Sequence, residues 1–262
     1  MNAPTSYKIV FFDIDGTLLN KAGRIPDSAR EAIRKLQASG IHVALATGRA
    51  PSHMASVAKE LNIDSFVCLT GSYAVFRGSV IHDRPLSPST VEQVMSLASE
   101  NDDALVYLGR EEVFGSHEAH PHVKETFANW LHQEVPERLP PGPPQFPVYQ
   151  LLLYCPEDRV PLYEERFPEL SLIRWHPLSL DIIPRGASKA AGVKALLAHL
   201  GIAAEEAVAF GDALNDREML SYVGMGVAMG NAHEGLKPYA RFITRHIDDD
   251  GILHGLRRIG LL

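Results

Sequence analysis

The stretch Tyr7-Lys8-Ile9-Val10-Phe11-Phe12-Asp13-Ile14-Asp15-Gly16-Thr17-Leu18 decides the fold. Its first half is short, apolar and rich in aromatic and β-branched residues. It reads as a strand over 7–12, buried on both faces. The apolar run stops at Asp13, and a second aspartate and a glycine follow at once. In an open parallel sheet, ligands sit where strands end in such polar turns.

The same rhythm continues outward. Pro26-Asp27-Ser28 starts a helix whose Ala29, Ile33 and Leu36 share one face, and Gly40 closes it. Residues 41–46 predict a second buried strand, ended by Thr47-Gly48-Arg49. A helix through Met54, Val57 and Leu61 and a third strand over 65–69 follow. Strand, helix, strand, helix, strand is the pattern of a parallel sheet covered on both faces. Residues 73–76 and 80–82 then flank Arg77-Gly78-Ser79 as a hairpin.

From 84 to 184 the elements are short and mixed. Helices are expected over 87–101 and 121–133, and strands over 104–108, 148–154 and 178–183. The proline-rich stretch 136–147 fits neither a helix nor a central strand and reads as a loop, with a polyproline ligand as the lesser alternative. The βα rhythm returns at Ser188 with a helix to Leu200. A strand over 207–210 ends in Gly211-Asp212, and a helix through Met219 and Leu220 follows. Strands over 226–229 and 241–244 and a terminal helix to Ile259 complete the chain. The fold class is therefore α/β. A Rossmann-like parallel-sheet core over 1–82 and 187–262 is interrupted by an inserted α+β domain over 83–186.

The chain has 262 residues, 45% hydrophobic and 22% charged, with a net charge of −7. That is the balance of an ordinary globular protein with a real core. No basic block stands out, so nucleic acid is not an expected partner. Cys68 and Cys155 lie in apolar stretches and read as small hydrophobes. No stretch approaches the roughly 18 apolar residues of a membrane span, and residues 1–8 lack a leader's apolar core. A cytoplasmic monomer or homodimer acting on a small molecule is the default.

Three polar clusters directly follow expected parallel strands: Asp13/Asp15, Thr47, and Asp212/Asn215/Asp216. Several aspartates at one sheet edge repel each other and invite a cation. With little His or Cys nearby, a hard ion such as Mg²⁺ suits them better than Zn²⁺.

Phe11-Phe12-Asp13-Ile14-Asp15-Gly16-Thr17-Leu18 resembles the first motif of the haloacid dehalogenase superfamily, hhhhDxDGTL. Thr47-Gly48-Arg49 is similar to the second motif, Lys189 after Ser188 to the third, and Gly211-Asp212-Ala213-Leu214-Asn215-Asp216 to the fourth, GDxxND. An insertion between the second and third motifs resembles the C2-capped, Cof-type (IIB) phosphatases, as does the late stretch Ala228-Met229-Gly230-Asn231-Ala232. The resemblance runs nearly end to end.

It implies a Mg²⁺-dependent phosphomonoester hydrolase acting on a small phosphorylated metabolite, such as a sugar phosphate, through an aspartyl-phosphate. Asp13 would be the nucleophile and Asp15 the acid and base. Gly16, Thr47, Gly48, Lys189 and Asn215 would bind phosphate or substrate, the first two also through backbone N–H groups. Mg²⁺ would be held by Asp13, Asp212 and the backbone carbonyl of Asp15. Asp216 would orient Lys189 or a metal-bound water. The inserted domain would act as a cap that excludes water and reads the leaving group. A phosphotransferase or phosphomutase is the nearest alternative. A non-catalytic relative should have lost Asp13, Asp15 or Lys189, and this chain keeps all three.

Other readings of these residues are weaker. A calcium loop at Asp13 needs glycine at its sixth position and Glu at its twelfth, but Gly16 is fourth and Arg24 twelfth. Arg49 fits a substrate contact or a surface salt bridge equally well. His117, His120 and His122 have spacing that admits a metal site, but Pro121 breaks any helical alignment, and the cluster reads as a mobile loop. Asp248-Asp249-Asp250 reads as a solvated turn before a helix. Thr70 stands where the subfamily often carries Asn, so any hydrogen bond that asparagine makes across the entrance is not carried over to this chain.

Overall fold

The computed structural model describes residues 7–131 and 133–262. Residues 1–6, read above for a leader, and His132, near the end of the expected 121–133 helix, lie outside the described residues.

The chain opens with β1 (Ile9–Phe12), α1 (Asp27–Ala38), β2 (His42–Ala46), α2 (Pro51–Glu60), β3 (Phe66–Cys68), β4 (Tyr73–Phe76) and β5 (Ser79–Asp83). It continues through α3 (Pro88–Glu100), β6 (Ala104–Leu108), β7 (Val113–Gly115), α4 (Pro121–Lys124), β8 (Glu137–Arg138), β9 (Gln150–Tyr154), α5 (Val160–Arg166), β10 (Leu170–His176) and β11 (Ser179–Pro184). It ends with α6 (Lys189–Leu200), β12 (Ala207–Gly211), α7 (Arg217–Tyr222), β13 (Met225–Ala228), β14 (Phe242–Ile243) and α8 (Gly251–Arg258). Two compact units result. Among the described residues, one contains 7–48, 55–83 and 188–262; the other contains 49–54, 84–131 and 133–187. The short segment 49–54, at the start of α2, thus groups with the inserted residues.

The first unit is built on an eight-stranded sheet in the order β14-β13-β12-β1-β2-β3-β4-β5. Pairing is parallel from β14 to β3 and antiparallel through the β4–β5 hairpin. All four residues of β1 are fully buried, as a strand covered on both faces requires. Phe12 on β1 stacks on Phe210 of β12 with ring centroids 5.2 Å apart. The chain leaves β1 to one side for β2 and returns on the other side at β12. This reversal of direction opens a crevice at the carboxyl ends of β1 and β12. Asp13 and Asp212 follow those two ends.

The second unit carries a six-stranded sheet in the order β10-β11-β9-β6-β7-β8. Leu105, Tyr107, Leu151, Leu153, Leu180 and Ile182 point to one face of it, where they pack with Val94 of α3 and Tyr163 of α5. β10, α5 and β7 lie where only short mixed structure was expected. The proline-rich 136–147 stretch is mostly loop, but Glu137 and Arg138 pair in parallel with Phe114 and Gly115. The helix begun at Pro121 changes after Lys124 to π-type winding over Glu125–Trp130. Cys68 and Cys155 are both free. Among the described residues, no helix is long and apolar enough to cross a membrane.

Candidate active site

Asp13 leaves the end of β1 with its N–H donated to the Phe210 carbonyl at 3.0 Å, so the β1–β12 ladder fixes its backbone. The residue is 4% exposed. Lys189, at the first turn of α6 and 1% exposed, reaches the same point. Its Nζ donates to Asp13 Oδ1 at 2.5 Å and to Asp216 Oδ1 at 2.7 Å. Ser188 caps this helix, its hydroxyl accepting from the Ala191 N–H at 3.3 Å. The turn Leu69–Gly71 buttresses it: a Cβ on Gly71 would lie 1.8 Å from the Ser188 carbonyl oxygen.

Asp216 is fully buried, and both of its oxygens are used. Besides accepting from Lys189, it accepts from the N–H groups of Asp212 at 3.0 Å and Ala213 at 3.1 Å. It therefore ties Lys189 to the loop that presents Asp212. Asp212 is partly buried, and Thr17 Oγ1 donates to its Oδ1 at 3.4 Å. Gly16 stands against this carboxylate with φ of +79°; a Cβ there would meet Asp212 Oδ2 at 2.1 Å. Both the left-handed backbone and the close approach require glycine.

Oxygen atoms of Asp13, Asp212 and Asp216 lie within 4.8 Å of one another, with Lys189 as the buried counter-charge. The electrostatics show the imbalance. Burial pushes the Asp13 carboxyl up to about 7 against the pull of Lys189, with Asp216 and Asp15 adding to the rise. Burial, then Asp13 and Asp216, pushes Asp212 up to about 9. Burial alone would lower the Lys189 ammonium, but Asp13 and Asp216 outweigh it and hold its pKa above the ordinary value. An all-oxygen donor set short of positive charge fits a hard divalent cation.

The remaining expected residues fall in different places. Asp15 is exposed on the loop after β1, close enough for its charge to raise Asp13 and Asp212. Thr47 is buried at the end of β2. Its N–H is committed to the sheet, donating to the Val67 carbonyl at 2.9 Å, so it is not the phosphate donor expected above. The Gly16 N–H is likewise committed, to the Leu19 carbonyl at 2.9 Å. In both cases backbone pairing claims the amide before a ligand can. Gly48 follows Thr47; a Cβ on it would lie 3.4 Å from Thr70 Oγ1. Asn215 is exposed in the short turn Leu214–Asp216.

Arg49 Nη1 donates to the His53 carbonyl at 3.0 Å. The rings of His117, His120 and His122 touch in sequence, with centroids 5.6 and 5.3 Å apart. Among the described residues, only the three aspartates gather ligand atoms closely enough for a metal. The sequence reading gave no role to Asn231, which pins the site loop. Its Nδ2 donates to the Gly16 carbonyl at 2.7 Å and its Oδ1 accepts from the Ile247 N–H at 3.0 Å. The one signal was its place just after a buried strand, in the stretch Ala228–Ala232.

A family model for haloacid dehalogenase-like hydrolases matches residues 10–256. A Bacillus subtilis (strain 168) protein named "Putative phosphatase YkrA" is 38% identical over 255 residues, covering 97% of this chain and 98% of its own. The solved structure of a phosphatase of the haloalkanoate (HAD) superfamily from Bacteroides thetaiotaomicron, BT1666, superposes with a TM-score of 0.89 at 31% identity, covering 100% of this chain and 98% of that one. A sugar phosphatase of HAD subclass IIB, BT4131, superposes with a TM-score of 0.85 at 27% identity, covering 97% of this chain and 100% of that one. Motif order, strand-end aspartates and full-length similarity agree: the chain belongs to the haloacid dehalogenase-like hydrolase family.

Proposed function

We propose that this protein is a Mg²⁺-dependent phosphomonoester hydrolase that works through an aspartyl-phosphate on Asp13. The observation that carries the reading is the buried Asp13–Lys189–Asp216 bridge beside Asp212 at the β1/β12 crevice. An Asp13 oxygen attacks phosphorus in line with the ester oxygen, and the P–O bond to the leaving group breaks. Asp15, exposed two residues on, gives its proton to the departing oxygen. In the second half Asp15 takes a proton from water as the water oxygen attacks phosphorus, and phosphate leaves with Asp13 restored.

Lys189 holds the attacking carboxylate in place and offsets its charge. Asp216 fixes Lys189 and the Asp212 loop together. The Thr47 hydroxyl, Gly48 and Asn215 are the proposed phosphate and substrate contacts. Asp13 and Asp212, with the Asp15 carbonyl, would hold the metal. When bound, Mg²⁺ supplies charge neutralisation for carboxylates and phosphate oxygens that would otherwise repel each other. The substrate class is a small phosphate ester, with sugar phosphates first in line because BT4131, a structural neighbour, is named as a sugar phosphatase.

The test is a phosphate-release screen over many phosphometabolites with Mg²⁺. Wild type should hydrolyse at least one, and Asp13→Asn should hydrolyse none. Full activity in Asp13→Asn would end the covalent mechanism.

A further inference from the structure

Two asparagine side chains tie the loop after β1 to the C-terminal part of the chain, and the chemistry above gives neither tie a task. The first is Asn231, whose Nδ2 donates to the Gly16 carbonyl at 2.7 Å while its Oδ1 accepts from the Ile247 N–H at 3.0 Å. The second is Asn20, whose Nδ2 donates to Asp248 Oδ1 at 2.7 Å. Asn20 Oδ1 accepts from the N–H groups of Ala22 and Arg24, both at 3.1 Å, so its own turn is closed as well. The ties end on adjacent residues, Ile247 and Asp248, in the short turn Ile247–Asp249. The Asn231–Gly16 and Asn20–Asp248 bonds span 215 and 228 residues, so neither follows from local turn geometry.

That turn is fixed to the sheet. The β13–β14 ladder continues past the strand ends: the Thr244 N–H donates to the Ala228 carbonyl at 2.9 Å and the Gly230 N–H to the Arg245 carbonyl at 2.8 Å. A Cβ on Gly230 would lie 2.4 Å from the His246 nitrogen, so the two backbones meet there. His246 Nδ1 accepts from the Asp248 N–H at 3.1 Å. Asn231 and Asp248 therefore act from held positions. Gly16 does not. With φ of +79° and no Cβ, it lets the peptide planes on either side turn. Its N–H is held by the Leu19 carbonyl at 2.9 Å, and its own carbonyl by Asn231. Leu19 precedes Asn20, so both holds on Gly16 lead back to the turn at Ile247 and Asp248. A trans peptide points its C=O opposite to its N–H, and among the described residues no peptide is cis. Holding the Gly16 N–H thus sets the direction of the Asp15 carbonyl, and holding the Gly16 carbonyl stops the glycine from turning that plane away.

We infer that Asn231 and the Asn20–Asp248 pair are positioning residues for the divalent cation: from the C-terminal turn they aim the Asp15 carbonyl, and so set how tightly the cation binds. The inference rests on the metal assignment proposed above. Its signature is an effect on cation affinity that neither lost charge nor lost stability reproduces.

The experiment measures binding of Mn²⁺, which prefers the same oxygen ligands, to the full-length protein through the EPR signal of the free ion. Asn231→Ala should weaken binding by roughly 10-fold and Asp248→Ala by roughly 3-fold, the worth of one hydrogen bond at a partly buried and at an exposed position. Asp248→Asn loses the charge but keeps an oxygen that accepts from Asn20, and should bind as wild type does. Gln37→Ala removes side-chain bonds to the Leu61 and Asn62 carbonyls in the same unit, and should leave Mn²⁺ binding unchanged whatever it does to the melting temperature. For an ester that wild type hydrolyses, the Mg²⁺ concentration giving half the maximal rate should rise in the same proportion as the Mn²⁺ dissociation constant, with KM for the ester unchanged at saturating Mg²⁺. If wild type binds Mn²⁺ and Asn231→Ala and Asp248→Ala bind it equally well, the inference is overturned while the metal assignment stands. Should Asn231→Ala fail to fold, Asp248→Ala against Asp248→Asn decides alone. Equal weakening in those two would make the carboxylate's charge the cause, and equal weakening in Gln37→Ala would make it a general loss of stability; either overturns the positioning role. A wild type that binds no Mn²⁺ removes the metal assignment and this inference together.

Discussion

Replacing Lys189 with Met tests the electrostatic core of the site directly. The side chain is 1% exposed and donates at 2.5 Å to Asp13 and at 2.7 Å to Asp216. Met keeps the length and apolar stem but removes the charge and both donors. Removing one partner of a buried ion pair costs about 3–5 kcal/mol, because the other charges stay buried without compensation. In a protein of this size that lowers the melting temperature by roughly 6–20 °C. The loss should also grow with pH. With Lys189 present, burial already holds Asp13 near 7. Without Lys189 its pKa rises further, so between the two values the folded variant keeps a proton that folded wild type releases. The variant therefore loses ground as pH rises through 7, by roughly 1.4 kcal/mol per pH unit until its own higher pKa is reached. Denaturant unfolding in EDTA at pH 5.5 and pH 8 reads both effects. Added Mg²⁺ should restore more stability to the variant than to wild type, and phosphate release should stay abolished. A loss below about 1 kcal/mol, or one equal at both pH values, would refute the reasoning.

Three further outcomes follow from the same geometry. Gly16→Ala places a methyl 2.1 Å from Asp212 Oδ2 at φ of +79°, so it should lower both stability and the apparent affinity for Mg²⁺; an unchanged Mg²⁺ titration would contradict that contact. Asn231→Ala strips partners from the Gly16 carbonyl and the Ile247 N–H, at a cost of roughly 1–3 kcal/mol by thermal or chemical unfolding, with phosphate release reduced. In EDTA, wild type should lose stability as pH rises from about 4 toward 9. Asp13 near 7 and Asp212 near 9 both hold protons in the folded state that the unfolded chain has already released. Mg²⁺ should flatten that decline, and a melting temperature in EDTA that rises between pH 5 and 8.5 would show the carboxylates to be better compensated than argued here.

The parallel core was legible because its signals are local. A strand buried on both faces must be a continuous apolar run, and 9–12 is one; the polar residue ending it marks the ligand edge. Asp13, Thr47 and Asp212 could therefore be read before any geometry was known. Their partners could not. Whether the Thr47 and Gly16 amides face a ligand depends on pairing with Val67 and Leu19, and in each case the backbone acceptor took the donor. Asp216 and Asn231 hold site loops through side chain to backbone bonds. For Asn231 and Gly16, that bond spans 215 residues. In the inserted unit, β10 is only half-buried and α5 is seven residues long with proline in its first turn, so neither offers a clean period.

Asp181 lies deepest in this hierarchy. Its sequence neighbours Leu180 and Ile182 are ordinary core residues, and nothing local distinguishes it from a turn-proximal acid on a solvated strand. Its burial among aliphatic neighbours comes from antiparallel register against both β9 and β10. A slip of one residue would turn Asp181 toward α3 and α5 and expose Leu180 instead. The strand-end aspartates are thus placed by local pattern, whereas the surroundings of Asp181 depend on strand pairings made far along the chain.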